Sequence, residues 1–387
     1  MDTLVKDILN LENLSGLKRL TKPGGLDNVV TKVGILEYEL TPGGRAFSSE
    51  EHWEKGEFIL STFQYAKNHP ELITSAIRKM CQAGTSGIAI KNVFQTEIPD
   101  EAIRYANVHS YPIFLFTDQD LFFEDVIIAV NQLISGRRYQ KYREDTIAEI
   151  LFSSCDSRDI ERRAKIVAPF LTNKYQTLYI AGRDPDVRPI IHEQALRANS
   201  CEAVRYKNDT FLFINQPDHS RPAEYYLERL GIRTADYYIG TSEIFFFRSR
   251  LRKAIMQAVY AARYSQMTDT AVVAFQDIGM YQFLFPNQSD PWIEDYYHTY
   301  IPVIQEFDVE NNTELLETAL LYEKHCGNIK EVAAEQNTHI NTIRYRMKKI
   351  AELFGSDMGN AGFESRLMVA LKIYKMRQLC DQIGDLL

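Results

Sequence analysis

The segment from Asn328 to Ile350 concentrates side chains whose chemistry suits nucleic acid. Arginine and asparagine can each form paired hydrogen bonds with a base edge, whereas lysine and threonine bind phosphate oxygens. Four basic residues occur within two helical turns, with no acidic residue among them. They are Arg344, Arg346, Lys348 and Lys349. This pattern predicts a local basic surface that can bind a polyanion.

Two predicted helices and a turn position these side chains. The first helix carries Val332 and Ala333, and the small Ala333 lets a second helix cross closely. Asn337 follows at the turn, because asparagine accepts a left-handed backbone. Apolar residues then recur at spacings of three and four, which predicts one buried stripe on the second helix. The stripe consists of Ile340, Ile343, Met347 and Ile350.

The face opposite this stripe is predicted to read double-stranded DNA, as the second helix of a helix-turn-helix does. At about 100° per residue, Asn341, Tyr345 and Lys348 point away from the stripe. The preceding helix and turn disfavour the alternative, a surface helix with a solvated basic face. The predicted DNA-binding residues are Thr338, His339, Asn341, Thr342, Arg344, Tyr345, Arg346, Lys348 and Lys349.

The composition limits the class of protein. A chain of 387 residues usually holds two or three domains. The net charge of −8 would repel a polyanion if it were evenly spread, so a nucleic-acid surface must be local. No stretch approaches the roughly 18 apolar residues of a membrane-spanning helix, so we expect no membrane contact. The N-terminus lacks a secretory pattern, so we expect a cytoplasmic protein. The five cysteines lie far apart, which predicts reduced thiols and no metal site.

Residues 57 to 135 alternate strand-like and helix-like segments. Short apolar runs at 57–62, 87–91 and 112–117 are separated by helical patterns at Pro70–Ala83 and Pro99–Val108. This alternation predicts a parallel sheet, whose ligands bind at the carboxyl ends of the strands. The side chains expected there are either a ligand site or ordinary strand exits. They are Ser61, Thr62, Lys91, Thr117 and Asp118.

A helical connector and a second mixed segment follow. Lys207-Asn208-Asp209 predicts a hairpin turn, because Asn and Asp tolerate positive φ. Helices are expected at Pro222–Gly231 and Ile244–Arg263, and the aromatic stretch Phe283–Tyr300 is expected to be an irregular boundary before a helical C-terminus. The predicted parts are residues 1–126, a connector at 127–167, a middle domain at 168–285 and a C-terminal domain at 286–387.

Several motifs of the chain occur together in one known family: Gly327-Asn328-Ile329, Ala333, His339, 341–346, 350–353, Gly56–Thr62, Ala83–Lys91 and Ile98-Pro99. With these residues the chain resembles the PucR/CdaR-like family of bacterial transcriptional regulators over nearly its whole length. It departs from the family at Gln336 and Thr338, where apolar residues are usual. The N-terminal likeness implies an α/β sensory domain for a catabolic metabolite, and the C-terminal likeness implies an all-α helix-turn-helix domain.

The middle segment resembles the degenerate cyclase-like domain of the same family, which implies an α+β fold. Where an active diguanylate cyclase has a Gly-Gly-Asp-Glu-Phe hairpin, this chain has Lys207-Asn208-Asp209-Thr210-Phe211. The missing glycines prevent close approach of the backbone to a nucleotide, and the missing glutamate removes a metal-bound carboxylate. The resemblance therefore implies lost cyclase activity, with a role in dimerisation or signal relay and no cofactor.

The leading hypothesis is a ligand-responsive transcriptional regulator, not an enzyme, because the histidines are isolated and no catalytic motif occurs. Its expected partners are an operator DNA and a small-molecule effector. A homodimer or higher homo-oligomer is expected, since one short helix makes too few base contacts. The resemblance favours activation of a catabolic operon. The alternatives are a nucleotide-binding effector receptor, which uses the cyclase-like domain, and a protein-interaction scaffold, which leaves the basic face unexplained.

Overall fold

The first compact unit is an α/β domain. The computed structural model describes residues 2–36, 53–116, 121–184, 187 and 191–383, and it divides the chain into the units Met1–Tyr142 and Arg143–Leu387. The strands of the first unit are β1 (Leu17–Arg19), β2 (Lys32–Ile35), β3 (Glu57–Ser61), β4 (Gly87–Ile90) and β5 (Ile113–Phe116). Its helices are α1 (Val5–Leu9), α2 (Pro70–Gln82), α3 (Asp100–Val108) and most of α4 (Phe123–Phe152).

The sheet of this unit confirms the predicted parallel arrangement. The strand order is β1-β5-β4-β3-β2; β2 to β5 are parallel, and β1 pairs with β5 in the antiparallel direction. One face buries Phe58 and Phe114 against α1 and α4, while the other buries Ile59 and Ile88 against α2 and α3. Parallel strands require cover on both faces, which explains their continuous apolar runs.

The second unit begins with a mixed sheet domain. Its strands are β6 (Tyr175–Gly182), β7 (Cys201–Tyr206), β8 (Asp209–Asn215), β9 (Tyr237–Thr241) and β10 (Val272–Ala274). Its helices are α5 (Ser157–Val167), α6 (Glu193–Ala198), α7 (Ala223–Arg229), α8 (Leu251–Thr268) and α9 (Tyr281–Leu284). The order is β10-β9-β6-β8-β7, with only β9 and β10 parallel. The segment from β6 to β9 forms a split β-α-β-β-α-β arrangement.

Helices cover both faces of this sheet. The end of α4 packs with α5 and α8 on one face, and α6 and α7 cover the other. Part of the predicted connector therefore belongs to a core, through residues such as Ile147 and Ile160. Gly240 in β9 permits a close approach of α8, because a Cβ there would lie 2.1 Å from the Ala258 oxygen.

The C-terminal part is helical, as predicted. It comprises α10 (Pro291–Asn311), α11 (Leu315–Lys324), α12 (Ile329–Glu335), α13 (Ile340–Leu353) and α14 (Ala361–Ile383). These helices share one core that contains Ile304, Ala319, Ile343, Met347 and Leu367. The core holds α12 and α13 in a fixed crossing.

Three local predictions were wrong. The helix expected from Ile244 begins at Leu251, because Phe245 exchanges backbone hydrogen bonds with Tyr175 and is extended. In the hairpin after β7, positive φ occurs at Lys207 (53°), whose N–H donates to the Glu144 carboxylate, and not at the Asn or Asp. The stretch 283–300 is mainly helical, since α10 begins at Pro291, where proline is compatible with a first helical position.

Candidate nucleic-acid interface

The turn between α12 and α13 has the predicted geometry. The Asn328 side chain caps α12 by accepting from the Lys330 N–H at 3.2 Å. Asn337 has φ 49°, and the Thr338 N–H then donates to the Ala333 carbonyl at 3.0 Å, which closes the helix end. Ala333 is buried at the crossing of the two helices. The structure confirms the roles predicted for Asn337 and Ala333.

The apolar stripe of α13 packs into the helical core as predicted. Ile343, Met347 and Ile350 are at most 1% exposed, and Ile340 is half-buried beside them. This stripe fixes the rotation of α13 about its axis. The side chains on the opposite side of α13 therefore face outward.

The outward face of α13 brings four of the nine predicted DNA-binding residues together. Asn341, Arg344, Tyr345 and Lys348 are exposed, with Tyr345 at 69%. The guanidinium of Arg344 lies 3.5 Å from the Asn341 side-chain oxygen. We call this set of four residues the basic face. The face can donate several hydrogen bonds to a nucleic acid without first breaking a buried contact.

Four of the five remaining predicted residues flank the basic face. His339 is exposed and caps α13, with its Nδ1 accepting from the Asn341 N–H at 3.2 Å. Thr338 and Thr342 are half-buried. Lys349 is half-buried, lies 3.3 Å from a Glu352 oxygen and stacks 5.2 Å above the Phe307 ring. Lys349 is therefore less free to reach a phosphate than Lys348.

Arg346 lies apart from the basic face. Its guanidinium donates to Thr318 at 3.0 Å and to the Gln336 side-chain oxygen at 3.3 Å, and it pairs with Glu314 at 3.1 Å. The side chain is only 23% exposed. In this structure Arg346 joins α13 to α11 and α12, because its position on α13 faces those helices. A DNA contact by Arg346 stays a prediction.

Sequence reasoning missed Glu314, Thr318 and Gln336 as partners of Arg346. One signal was available, since Gln336 is polar where the family usually has an apolar residue. Thr318 is fully buried, and its hydroxyl lies 3.2 Å from the Gln336 oxygen. The departure from the family pattern is thus matched by a polar network that holds the helix pair.

A second group of ion pairs surrounds α12. His325 contacts Glu331 at 3.0 Å and Glu335 at 2.6 Å, and Lys324 contacts Glu335 at 2.7 Å. The hydrogen bond from Lys324, followed by that from His325, holds the pKa of Glu335 below its usual value. These contacts place Lys324 and His325 against the two carboxylates of α12. Uncompensated carboxylates there would repel a polyanion.

The candidate ligand residues of the first unit are used in local hydrogen bonds. The Ser61 hydroxyl donates to the Leu36 carbonyl at 2.6 Å and accepts from Phe63 N–H at 3.0 Å. Thr62 accepts from Gln64 N–H at 3.3 Å, and Lys91 donates to the Leu121 carbonyl at 2.6 Å. These contacts favour ordinary strand exits. Thr117 and Asp118 lie outside the described residues.

The turn that resembles a cyclase hairpin is held by protein groups. Asp209 accepts a hydrogen bond from the Tyr179 hydroxyl. Across the described ranges, no group of three or more His, Cys, Asp or Glu side chains is arranged to hold a metal ion. Among the described helices, none combines the length and the apolar character that crossing a bilayer requires.

Two family models match separate parts of the chain. Residues 7–134 match the purine catabolism regulatory protein-like family, and residues 315–373 match the PucR C-terminal helix-turn-helix domain. The second match contains α11, α12 and α13, and therefore includes the whole basic face.

Relatives and a solved structure show more distant likeness. Two proteins of Bacillus subtilis (strain 168) are similar: the proline-responsive transcriptional activator PutR, 24% identical over 144 residues, and the DNA-binding transcriptional activator AdeR, 20% identical over 152 residues. These matches cover 36% and 39% of this chain, but only 34% and 35% of those relatives.

The crystal structure of a regulator of polyketide synthase expression from Bifidobacterium adolescentis is 18% identical and covers 60% of this chain and 98% of that chain. Its TM-score of 0.26 is too low to support an argument. The identification therefore depends on the two family models, one at each end of the molecule. On these matches, the chain is similar to the PucR family over residues 7–134 and 315–373.

Proposed function

We propose that this protein is a sequence-specific DNA-binding transcriptional regulator. The single observation that carries the proposal is the basic face of α13, which is exposed on a helix held by a matching helix-turn-helix core. Asn341 and Arg344 would hydrogen-bond base edges in the major groove, while Lys348 and Thr342 would contact phosphates. Thr338 and His339 would contact the DNA near the start of the helix, and Tyr345 would contact it from the basic face.

The regulatory part of the proposal is activation of a catabolic operon in response to a small metabolite. The names of the two relatives support activation, since both are called transcriptional activators. The first unit is proposed as the sensory domain. A homodimer or higher homo-oligomer would double the base contacts available to one short helix. With DNA as partner and no catalytic role, we assign the protein to the cytoplasm.

The middle sheet domain is proposed to be a degenerate cyclase-like module that relays the signal or dimerises. Its split β-α-β-β-α-β arrangement supports this proposal. The alternative function, a nucleotide-binding effector receptor, is not favoured by relatives that are named for transcriptional activation.

Selection of genome fragments by the purified full-length protein tests the proposal. We expect the wild type to enrich a small set of fragments and the double variant Asn341→Ala/Arg344→Ala to enrich none. Arg162→Ala is the matched control, because Arg162 has a 73% exposed side chain on α5 and its loss removes one charge outside α13. Equal enrichment by the wild type and the double variant would reject the basic face as the reader of DNA.

A further inference from the structure

Helix α14 belongs to two cores of the second unit. Its first half contributes Phe363 and Leu367 to the core around α12 and α13. Its second half contributes Ile373 and Met376 to a core with Tyr260 and other residues of the sheet domain. A displacement of α14 would therefore change the packing of both the sheet domain and the helix-turn-helix.

A crevice of about 580 Å³ lies beside this shared helix. The end of α8 and Tyr281 line one side, and α11 and α14 line the other. The volume falls in the range of small-molecule sites, about 300–1,000 Å³. The crevice thus has room for a metabolite at the junction of two structural parts.

The charges in the crevice are unbalanced. Lys372 and Lys375 both contact the carboxylate of Glu323, at 2.5 Å each. The three side chains are only 26%, 28% and 10% exposed, and Glu323 is the only acidic residue among the described residues that line the crevice. Lys324, the third lysine of the lining, is paired with Glu335, so one carboxylate remains for the two ammonium groups of Lys372 and Lys375. A partly desolvated positive charge remains, which is unfavourable unless an anion pairs with it.

Polar and aromatic groups complete the lining. Gln266, Gln378 and Gln382 supply amide groups that can donate hydrogen bonds, and Tyr281 lies under Lys372 with 5.4 Å from the ammonium to the ring centre. An oxyanion has several acceptor atoms and would use both the ammonium and the amide donors. The donor set therefore fits an anion better than a cation.

We propose that this crevice binds a small oxyanion, a carboxylate or a phosphate group, through Lys372 and Lys375. Binding would pair the ammonium charge that Glu323 leaves unneutralised and would shift the two lysines relative to Glu323, which lies two residues before the turn at His325 and Cys326 that leads to α12. The ligand would thereby change the contact between α11 and α14. An effect of the ligand on DNA affinity rests on the proposed function, whereas anion binding does not.

Calorimetric titration of the full chain with inorganic phosphate and with succinate tests the proposal, at an ionic strength held constant with chloride. We expect saturable binding of at least one of the two anions, with the more tightly bound anion identifying the ligand class. Lys375→Gln should weaken the affinity at least tenfold, and Lys375→Arg should retain it. Glu323→Gln should have the opposite effect and strengthen binding, because it removes the competing carboxylate.

Two further variants keep the test decisive. Lys253→Gln removes the same charge from an exposed position at the other end of α8 and should change the affinity by less than twofold. Gln382→Glu places a negative charge at an exposed position of the crevice lining and should abolish anion binding. This variant tests the proposal if Lys375→Gln does not fold. Failure of both anions to bind the wild type, or equal effects of Lys375→Gln and Lys253→Gln, would overturn the proposal.

DNA titration with and without the bound anion is a separate measurement. We expect the anion to change DNA affinity at least fivefold, as coupling between two sites requires. If the protein binds the anion but no DNA, the proposed function fails while the anion site stands. If DNA binds but neither anion does, only the crevice proposal fails.

Discussion

The Arg346 guanidinium lies 3.3 Å from the Gln336 side-chain oxygen, and this contact joins the middle of α13 to the residue that ends α12. Thr318 and Glu314 extend the contact to α11 and to the residue before it. Two arginines of one helix therefore have different tasks. Arg344 faces outward, whereas Arg346 positions the helix that carries it.

Arg346→Ala should destabilise the C-terminal helices. Loss of charge-assisted hydrogen bonds from a side chain that is 23% exposed should lower the free energy of unfolding by about 1–3 kcal/mol. Binding to specific and random DNA should weaken together, without a change in salt dependence. Chemical denaturation and DNA titration measure the two effects. A smaller salt slope with unchanged stability would instead identify Arg346 as a phosphate contact.

Arg344→Ala should leave the stability unchanged and weaken specific DNA binding by about 1–3 kcal/mol, with relaxed preference at one base pair. The reason is that an exposed guanidinium contributes little to folding but can bind a base edge bidentately. Titration against the selected fragment and its single-base variants measures the loss. An equal loss on random DNA would contradict a base-reading role.

Lys348→Ala should weaken binding to all DNA sequences alike and reduce the slope of log affinity against log salt by about one. Lys349→Ala should produce a smaller change, because Lys349 is already in contact with Glu352 and Phe307. Titrations over a series of salt concentrations distinguish the two lysines. A larger slope change for Lys349 would show that it leaves these contacts when DNA binds.

Glu323 should make stability depend on pH. Burial raises the pKa of Glu323, but the hydrogen bonds from Lys372 and Lys375 outweigh burial and hold the pKa below its usual value. The stability that ionised Glu323 contributes is therefore present above its unfolded pKa and is lost as the pH falls through the folded pKa.

We expect the melting temperature of the wild type to fall more steeply than that of Glu323→Gln below about pH 5. Circular dichroism melts between about pH 3 and 7 measure both profiles. Parallel profiles would show that the Glu323 carboxylate does not contribute in this way.

Gly240→Ala should destabilise the sheet domain by about 3 kcal/mol. The added Cβ would lie 2.1 Å from both the Ala258 oxygen and the Ala262 nitrogen, so that β9 and α8 must separate. Gly136→Ala is the control, since its Cβ would meet no described atom within 4 Å. That variant should be stabilised by roughly 0.5–1 kcal/mol, because alanine favours a helix. Similar losses in both variants would argue against close packing at Gly240.

Local patterns predicted the basic face better than they predicted its supports. The stripe of α13 and the turn at Asn337 depend on residues close in sequence, so periodicity and turn chemistry were sufficient. The partners of Arg346 lie up to 32 residues away, and only the packing of three helices brings them together. The start of α8 was missed for the same reason, since Phe245 is extended through its pairing with the distant Tyr175.

The ratio of specific to random DNA affinity at physiological salt tests the central claim most directly. The selected fragment and a shuffled fragment of equal length are titrated with the full-length protein under the same conditions. The proposed regulator should prefer the selected fragment by about a thousandfold or more, and Arg344→Ala should reduce that ratio at least tenfold. Equal affinities of the wild type for the two fragments would contradict sequence-specific recognition by α13.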